Sequence, residues 1–121
     1  IRAQRFKTDQ IPITKLFLKW KMPEFENALD LKEDASLVDQ FLYVNQTLRK
    51  KNNQALLATG QRSESNFLWQ EAFGRLPNSA RRANFADHRV YTYDGQNIDR
   101  AVHMGIDLAS IRHADIPAAN A

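Results

Sequence analysis

The stretch from Ser36 to Thr59 limits what this chain can fold into more than any other. Leu37, Phe41, Val44, Leu48, Ala55 and Leu56 recur at the spacing that gathers side chains on one face of a helix. Ser36 with Asp39 makes a capping-box-like start, the acid being shorter than the preferred glutamate. Gly60 stands where helices commonly stop. The pattern predicts a rod of ~24 residues, about 36 Å long. Its polar weak point is Lys50 to Asn53, where a bend or break is expected. Such a rod draws most of its stability from burying its apolar face. The rest of the chain must cover it, and Trp20, Phe25 and the C-terminal half are the candidates.

On the N-terminal side, Ile1 to Ile13 reads as a strand or an extended lead-in containing Pro12. Thr14 is placed to cap a short helix, with Leu16, Phe17 and Trp20 on one face. Pro23 ends that helix and suits the first position of a further turn, which Glu24 and Glu26 favour electrostatically. On the C-terminal side, Ser63 to Phe73 predicts one more short helix, capped by Ser63 or Ser65. Trp69 and Phe73 would then pack at i, i+4 spacing, as core rather than as a substrate platform.

After Pro77 the period changes. Arg89 to Ile98 reads as a hairpin about Asp94-Gly95, a preferred pair for a tight type I′ turn. Ile116 to Ala119 predicts a last short strand, with Pro117 at its start or on a sheet edge. The expected class is α+β: a helical N-terminal region over residues 1–62 with one long helix, then antiparallel strands over residues 63–121.

Composition excludes several chemistries. With no cysteine, there is no disulfide, thiolate zinc site or cysteine nucleophile. A hydrophobic share of 43% and a charged share of 26% suit a folded chain rather than a disordered one. The net charge of +3 is too small to select an anionic wall polymer or a nucleic acid. Arg49-Lys50-Lys51 and Arg81-Arg82 are too short to be nucleic-acid arms, so no nucleic-acid partner is expected. No apolar run is long enough to span a bilayer.

The chemistry-bearing stretch is Val102-His103-Met104-Gly105-Ile106-Asp107-Leu108-Ala109-Ser110. Imidazole nitrogen and carboxylate oxygen are both good zinc ligands. A helix would bring positions i and i+4 together, but Gly105 and the run around it argue for an extended segment with a bend. On a straight strand the two side chains would lie ~13 Å apart. A shared metal therefore requires the chain to turn near His103, and Gly105 can supply the backbone freedom.

This stretch, with Ile116-Pro117-Ala118-Ala119 after it, resembles the lysostaphin/LytM-type zinc metallopeptidases, which are peptidoglycan endopeptidases. Their first metal motif reads His-x-Gly-x-Asp with a hydrophobic-alanine tail, and Ile116 takes the valine place of the strand that follows it. Phe85-Ala86-Asp87-His88-Arg89 resembles the family's Phe-Gly-x-Arg element, one residue longer and without the glycine. The resemblance covers about the last fifty residues and is specific at His103 to Ser110.

The resemblance implies zinc as cofactor, His103 and Asp107 as metal ligands, and hydrolysis of a peptide bond in bacterial peptidoglycan in the periplasm or outside the cell. The metal would activate a water near neutral pH and polarise the scissile carbonyl. The family completes its site with a His-x-His motif and a further catalytic histidine. This chain has only His88, His103 and His113, so no catalytic residue is assigned within it. On this reading it is a front piece of a longer polypeptide, with weak zinc binding and no activity by itself. Its expected partners are the peptidoglycan peptide and either the missing C-terminal part or a second copy. His88 is expected to be supporting or structural, His113 a solvated loop histidine, and Asp99 and Asp115 turn residues. Two other readings stay open: a non-catalytic relative that binds the wall or regulates, and a helical interaction domain in which His-x-x-x-Asp is chance.

Overall fold

The computed structural model describes residues 5–120, so the first residues of the expected lead-in and Ala121 lie outside the described part. Its elements are β1 (Thr8–Pro12), α1 (Lys15–Lys21), a 3-10 turn (Met22–Ala28), α2 (Leu37–Leu42), a π-helical segment (Tyr43–Leu48), α3 (Arg49–Gly60), β2 (Ala80–Ala83), β3 (His88–Tyr93), β4 (Gln96–Val102) and β5 (Asp107–Ala109). The fold is mixed α+β. No helix among the described residues is long and apolar enough to cross a membrane.

The chain forms two compact units from interleaved segments. One takes residues 10–63 and 90–100, the other residues 5–9, 64–89 and 101–120 of those described. Strands β1, β3 and β4 are hydrogen-bonded in the order β1-β3-β4. The bonds flanking β1, His88 N–H to Lys7 O at 2.8 Å and Ile13 N–H to Thr92 O at 2.7 Å, advance in the same direction along both chains. β1 is therefore parallel to β3, while β3 and β4 form an antiparallel hairpin.

In the helix-rich unit, Thr14 caps α1 by accepting the Phe17 amide at 3.1 Å. The expected face of α1 is wrong. Leu16 and Trp20 are exposed, and Leu18 and Met22 are buried instead. Pro23 opens the 3-10 turn as expected. Ser36 and Asp39 form a reciprocal capping box at the start of α2.

The long helix is continuous, but its irregularity falls at Tyr43–Leu48, ahead of the expected weak point at Lys50 to Asn53. The wider winding of a π segment turns everything C-terminal to it about the axis. The apolar stripe does not persist as a buried face, because nothing among the described residues covers α3: every residue from Arg49 to Gly60 is exposed. Gly60 ends α3 without the left-handed conformation of a glycine cap, and Gln61 follows in the right-handed region. What covers the rod is the hairpin: Phe41 meets Tyr91 edge-on, centroids 5.5 Å apart.

Within the π segment, Asn45 is buried, and its side-chain amide donates to Asp99 on β4. Gln46 donates to the other Asp99 oxygen at 3.1 Å, and Arg49 donates to Asn45 Oδ1 at 2.6 Å. Asp99 is thus a strand residue tying the hairpin to the helix, not a turn residue.

The second unit carries the C-terminal chemistry. The helix expected over Ser63 to Phe73 does not form, and the segment is irregular. Trp69 and Phe73 still meet, at 5.5 Å, without a helix, but both are exposed rather than the core residues expected. β2 pairs antiparallel with β5, Ala80 opposite Ala109 and Ala83 opposite Asp107, with a register shift between Arg81 and Ala83. The strand expected at Ile116 to Ala119 is absent. Around that segment, Gly74 N–H donates to Ala119 O at 2.6 Å and the Asn120 side chain donates to Glu71 O at 3.1 Å.

Candidate metal centre

Two strand ends flank His103. β4 stops at Val102, the chain bends through Gly105, and β5 begins at Asp107. The bulge in β2 falls beside the Ala83–Asp107 pair, a common device for re-aiming a strand end. The required turn is thus made, and His103 Nε2 lies 3.2 Å from Asp107 Oδ1. Gly105 does not use the left-handed region to make it. A Cβ there would stand at ordinary contact distance, 4.0 Å, from His103 Nε2.

The loop after β2 fixes the other side of the ring. Asn84 O lies 2.9 Å from His103 Nδ1. A carbonyl only accepts, so Nδ1 carries the proton and donates. The His103 backbone is held by the same loop, through His103 N–H to Asp87 O at 2.9 Å and Ala86 N–H to His103 O at 2.7 Å. Ala86 takes φ 64°, the left-handed conformation that a glycine adopts most readily.

Asp87 is buried and closes the loop. Its Oδ2 accepts the Asn84 amide at 2.8 Å and the Asn84 side chain at 3.3 Å. The Asn84 backbone N–H holds the Asp87 carboxyl below its ordinary value, against the opposing effect of burial, with the Asn84 side chain and the Lys7 ammonium adding to the lowering. On the far side of the pair, Arg89 Nη2 bonds Asp107 Oδ2 at 3.1 Å, leaving Oδ1 toward the imidazole. The His103 side chain is 12% exposed and that of Asp107 54%, so the pair sits at the surface end of a shielded ring.

The donor set fits a metal ion as far as it goes. With Nδ1 donating to Asn84, an uncharged His103 turns a lone pair on Nε2 toward a carboxylate oxygen. Two acceptors at 3.2 Å repel unless a proton or a cation joins them. Two N and O donors of one tetrahedral zinc stand about 3.4 Å apart, given bond lengths near 2.1 Å, close to the observed separation. Among the described residues no third histidine or carboxylate joins these two. His88 lies at the start of β3 with its ring tilted against Phe6, centroids 6.5 Å apart. His113 is exposed in a turn with φ 59°. An apolar groove of about 690 Å³ opens onto Asp107, walled by Leu76, Ile106, Leu108, Ile116 and Pro117.

The structure brings together His103 and Asp107, the two side chains singled out in the sequence, and adds Asn84, to which no sequence feature assigned a role, with Asp87 and Arg89 from the looser motif. The available signal was Asn84-x-x-Asp87, an asparagine and an aspartate at a spacing that closes tight loops. No family model matches the chain, and no curated protein or solved structure matches it.

Proposed function

We propose that this chain supplies two ligands of a catalytic zinc centre in a metalloendopeptidase acting on peptide bonds of bacterial peptidoglycan. One observation carries the proposal: His103 Nε2 and Asp107 Oδ1 converge at 3.2 Å while Asn84 O holds the proton on Nδ1. The resemblance of His103 to Ser110 to the lysostaphin/LytM motif supplies the reaction class. When bound, zinc would polarise the scissile carbonyl and lower the pKa of a water. His103 would hold it through Nε2 and Asp107 through Oδ1, and the third ligand would be a histidine of the kind the resembled family supplies from its His-x-His motif, which this sequence does not contain. Three protein ligands leave a position open, as catalytic zinc sites require. Arg89 would orient Asp107 and offset its charge, and the groove beside Asp107 would take an extended peptide with small apolar side chains.

Zinc titration of the chain and of His103→Ala and Asp107→Ala tests the centre. We expect weak one-to-one binding that either substitution removes. Binding indifferent to both would place the metal elsewhere. The reaction is tested on the protein as the cell makes it, by incubation with purified peptidoglycan and detection of new amino termini. Intact cross-links in the presence of a zinc-loaded protein would favour the wall-binding or regulatory reading instead.

A further inference from the structure

We infer that Asp87 is a positioning residue for His103: it holds shut the 84–87 loop whose Asn84 carbonyl fixes the imidazole, and so sets how tightly the His103–Asp107 pair takes a divalent cation. The inference rests on the metal-centre reading above. Asp87 bonds no ring atom of His103. Its carboxylate works inward, accepting the Asn84 backbone N–H at 2.8 Å and the Asn84 side chain at 3.3 Å. The Asp87 amide closes back on Asn84 O at 3.3 Å. These bonds fix the orientation of the Asn84 carbonyl, and that carbonyl meets Nδ1 at 2.9 Å.

The consequence is tautomeric. A neutral imidazole carries its proton on either nitrogen, and metal binding through Nε2 needs the proton on Nδ1. Asn84 O enforces that choice, and the loop adds two backbone bonds to His103 at 2.9 and 2.7 Å. Ring and backbone are therefore both held from one loop, and one buried carboxylate braces that loop. Arg89 does the corresponding work for Asp107 from β3, at 3.1 Å. Removing the supporting partner of a metal-binding histidine typically weakens the metal by about 10- to 100-fold.

The test uses the full chain with Asp87→Ala and Asp87→Asn. Nitrogen-15 NMR of the metal-free protein reads the His103 ring nitrogens, and the amide signals of residues 88–102 report whether the hairpin is intact. Zinc affinity is measured by competition with a chelating indicator. In Asp87→Ala we expect the His103 signals to move toward a mixture of tautomers and zinc affinity to fall about 10- to 100-fold. Asp87→Asn, which can still accept one N–H, should fall between. Unchanged His103 ring signals with an intact hairpin overturn the positioning role. If Asp87→Ala does not keep the hairpin, Asp87→Asn decides by the same signals, a shift supporting the role and none overturning it. A parent chain that binds no zinc overturns the metal centre instead, so the two failures are distinguishable.

Discussion

Ala86 occupies a conformation that its own methyl group disfavours. An L-residue in the left-handed region is destabilised by about 1–2 kcal/mol, and part of that is recovered by glycine after its larger entropy loss on folding. Ala86→Gly should therefore raise stability by about 0.5–1 kcal/mol in urea unfolding, with no change in the His103 ring signals. A loss of stability would show that the methyl makes a contact outweighing the strain. Gly105 presents the opposite case, because its φ lies outside the left-handed region and a Cβ meets only His103 Nε2, at 4.0 Å. Gly105→Ala should keep stability within about 0.5 kcal/mol. Gly105→Leu should leave the fold intact but block zinc, read by the same indicator competition. Asp87 adds a pH dependence. Its folded carboxyl is held below its ordinary value, so its contribution is fully present above that value and disappears as pH falls through the lowered one. The Asn84 amide signal should move over that acidic range and stay still in Asp87→Asn. At this scale His103 and Asp107 were legible because their chemistry lies in their side chains. Asn84 was not, because it acts through a backbone carbonyl that every residue has.

Two elements with local signals, the Ser36–Asp39 cap and the Asp94-Gly95 hairpin, formed where the signals stood. The Ser36–Asp39 box depends on four consecutive residues, and both reciprocal bonds are made, the Asp39 amide to Ser36 Oγ at 3.1 Å and the Ser36 amide to Asp39 Oδ2 at 3.2 Å. Ser36→Ala should cost about 1 kcal/mol in thermal or urea unfolding. A change below a few tenths would mean that α2 is held by Phe41 and Asn45 alone. The hairpin was legible for the same reason: Asp94 at φ 47° and Gly95 at φ 77° are the two left-handed residues of a type I′ turn. Faces were harder to read than ends. Around α1 both the Leu16–Trp20 pair and the Leu18–Met22 pair, the latter reaching into the 3-10 turn, satisfy i, i+4, and a seven-residue helix has too few turns for the pattern to choose. In the long helix the stripe was extrapolated at one period across a segment that winds at another. Trp69 and Phe73 show a third failure, since two large rings find each other across an irregular chain as readily as across a helical turn.

The two units differ in what holds each together. The helix-rich unit buries Ile13, Leu18, Met22, Phe41, Val90 and Tyr91, whereas in the other unit Ala83 is the one buried apolar residue among those described. Phe67, Leu68, Met104, Ile111 and Ile116 in that second unit are largely exposed. An alanine offers little apolar area, and burial contributes only about 25 cal/mol per Å². The unit with the candidate metal centre thus rests on the β2–β5 ladder and on the hydrogen bonds of the 84–87 loop. Regions with few buried apolar contacts open at free energies well below global unfolding. Amide exchange should accordingly be fast at residues 80–87 and 101–109 and slow at α1, α2 and the 90–93 part of β3. A ligand that binds only the closed form stabilises by RT ln(1 + [L]/Kd), or about 2.7 kcal/mol at one hundred times Kd. Saturating zinc should then slow exchange at Ala86 and His103 by about 100-fold while leaving α2 unchanged. His103→Ala should remove that protection. Uniform slowing in both units, or slowing that survives the substitution, would mean that zinc acts on the chain at some place other than the His103–Asp107 pair.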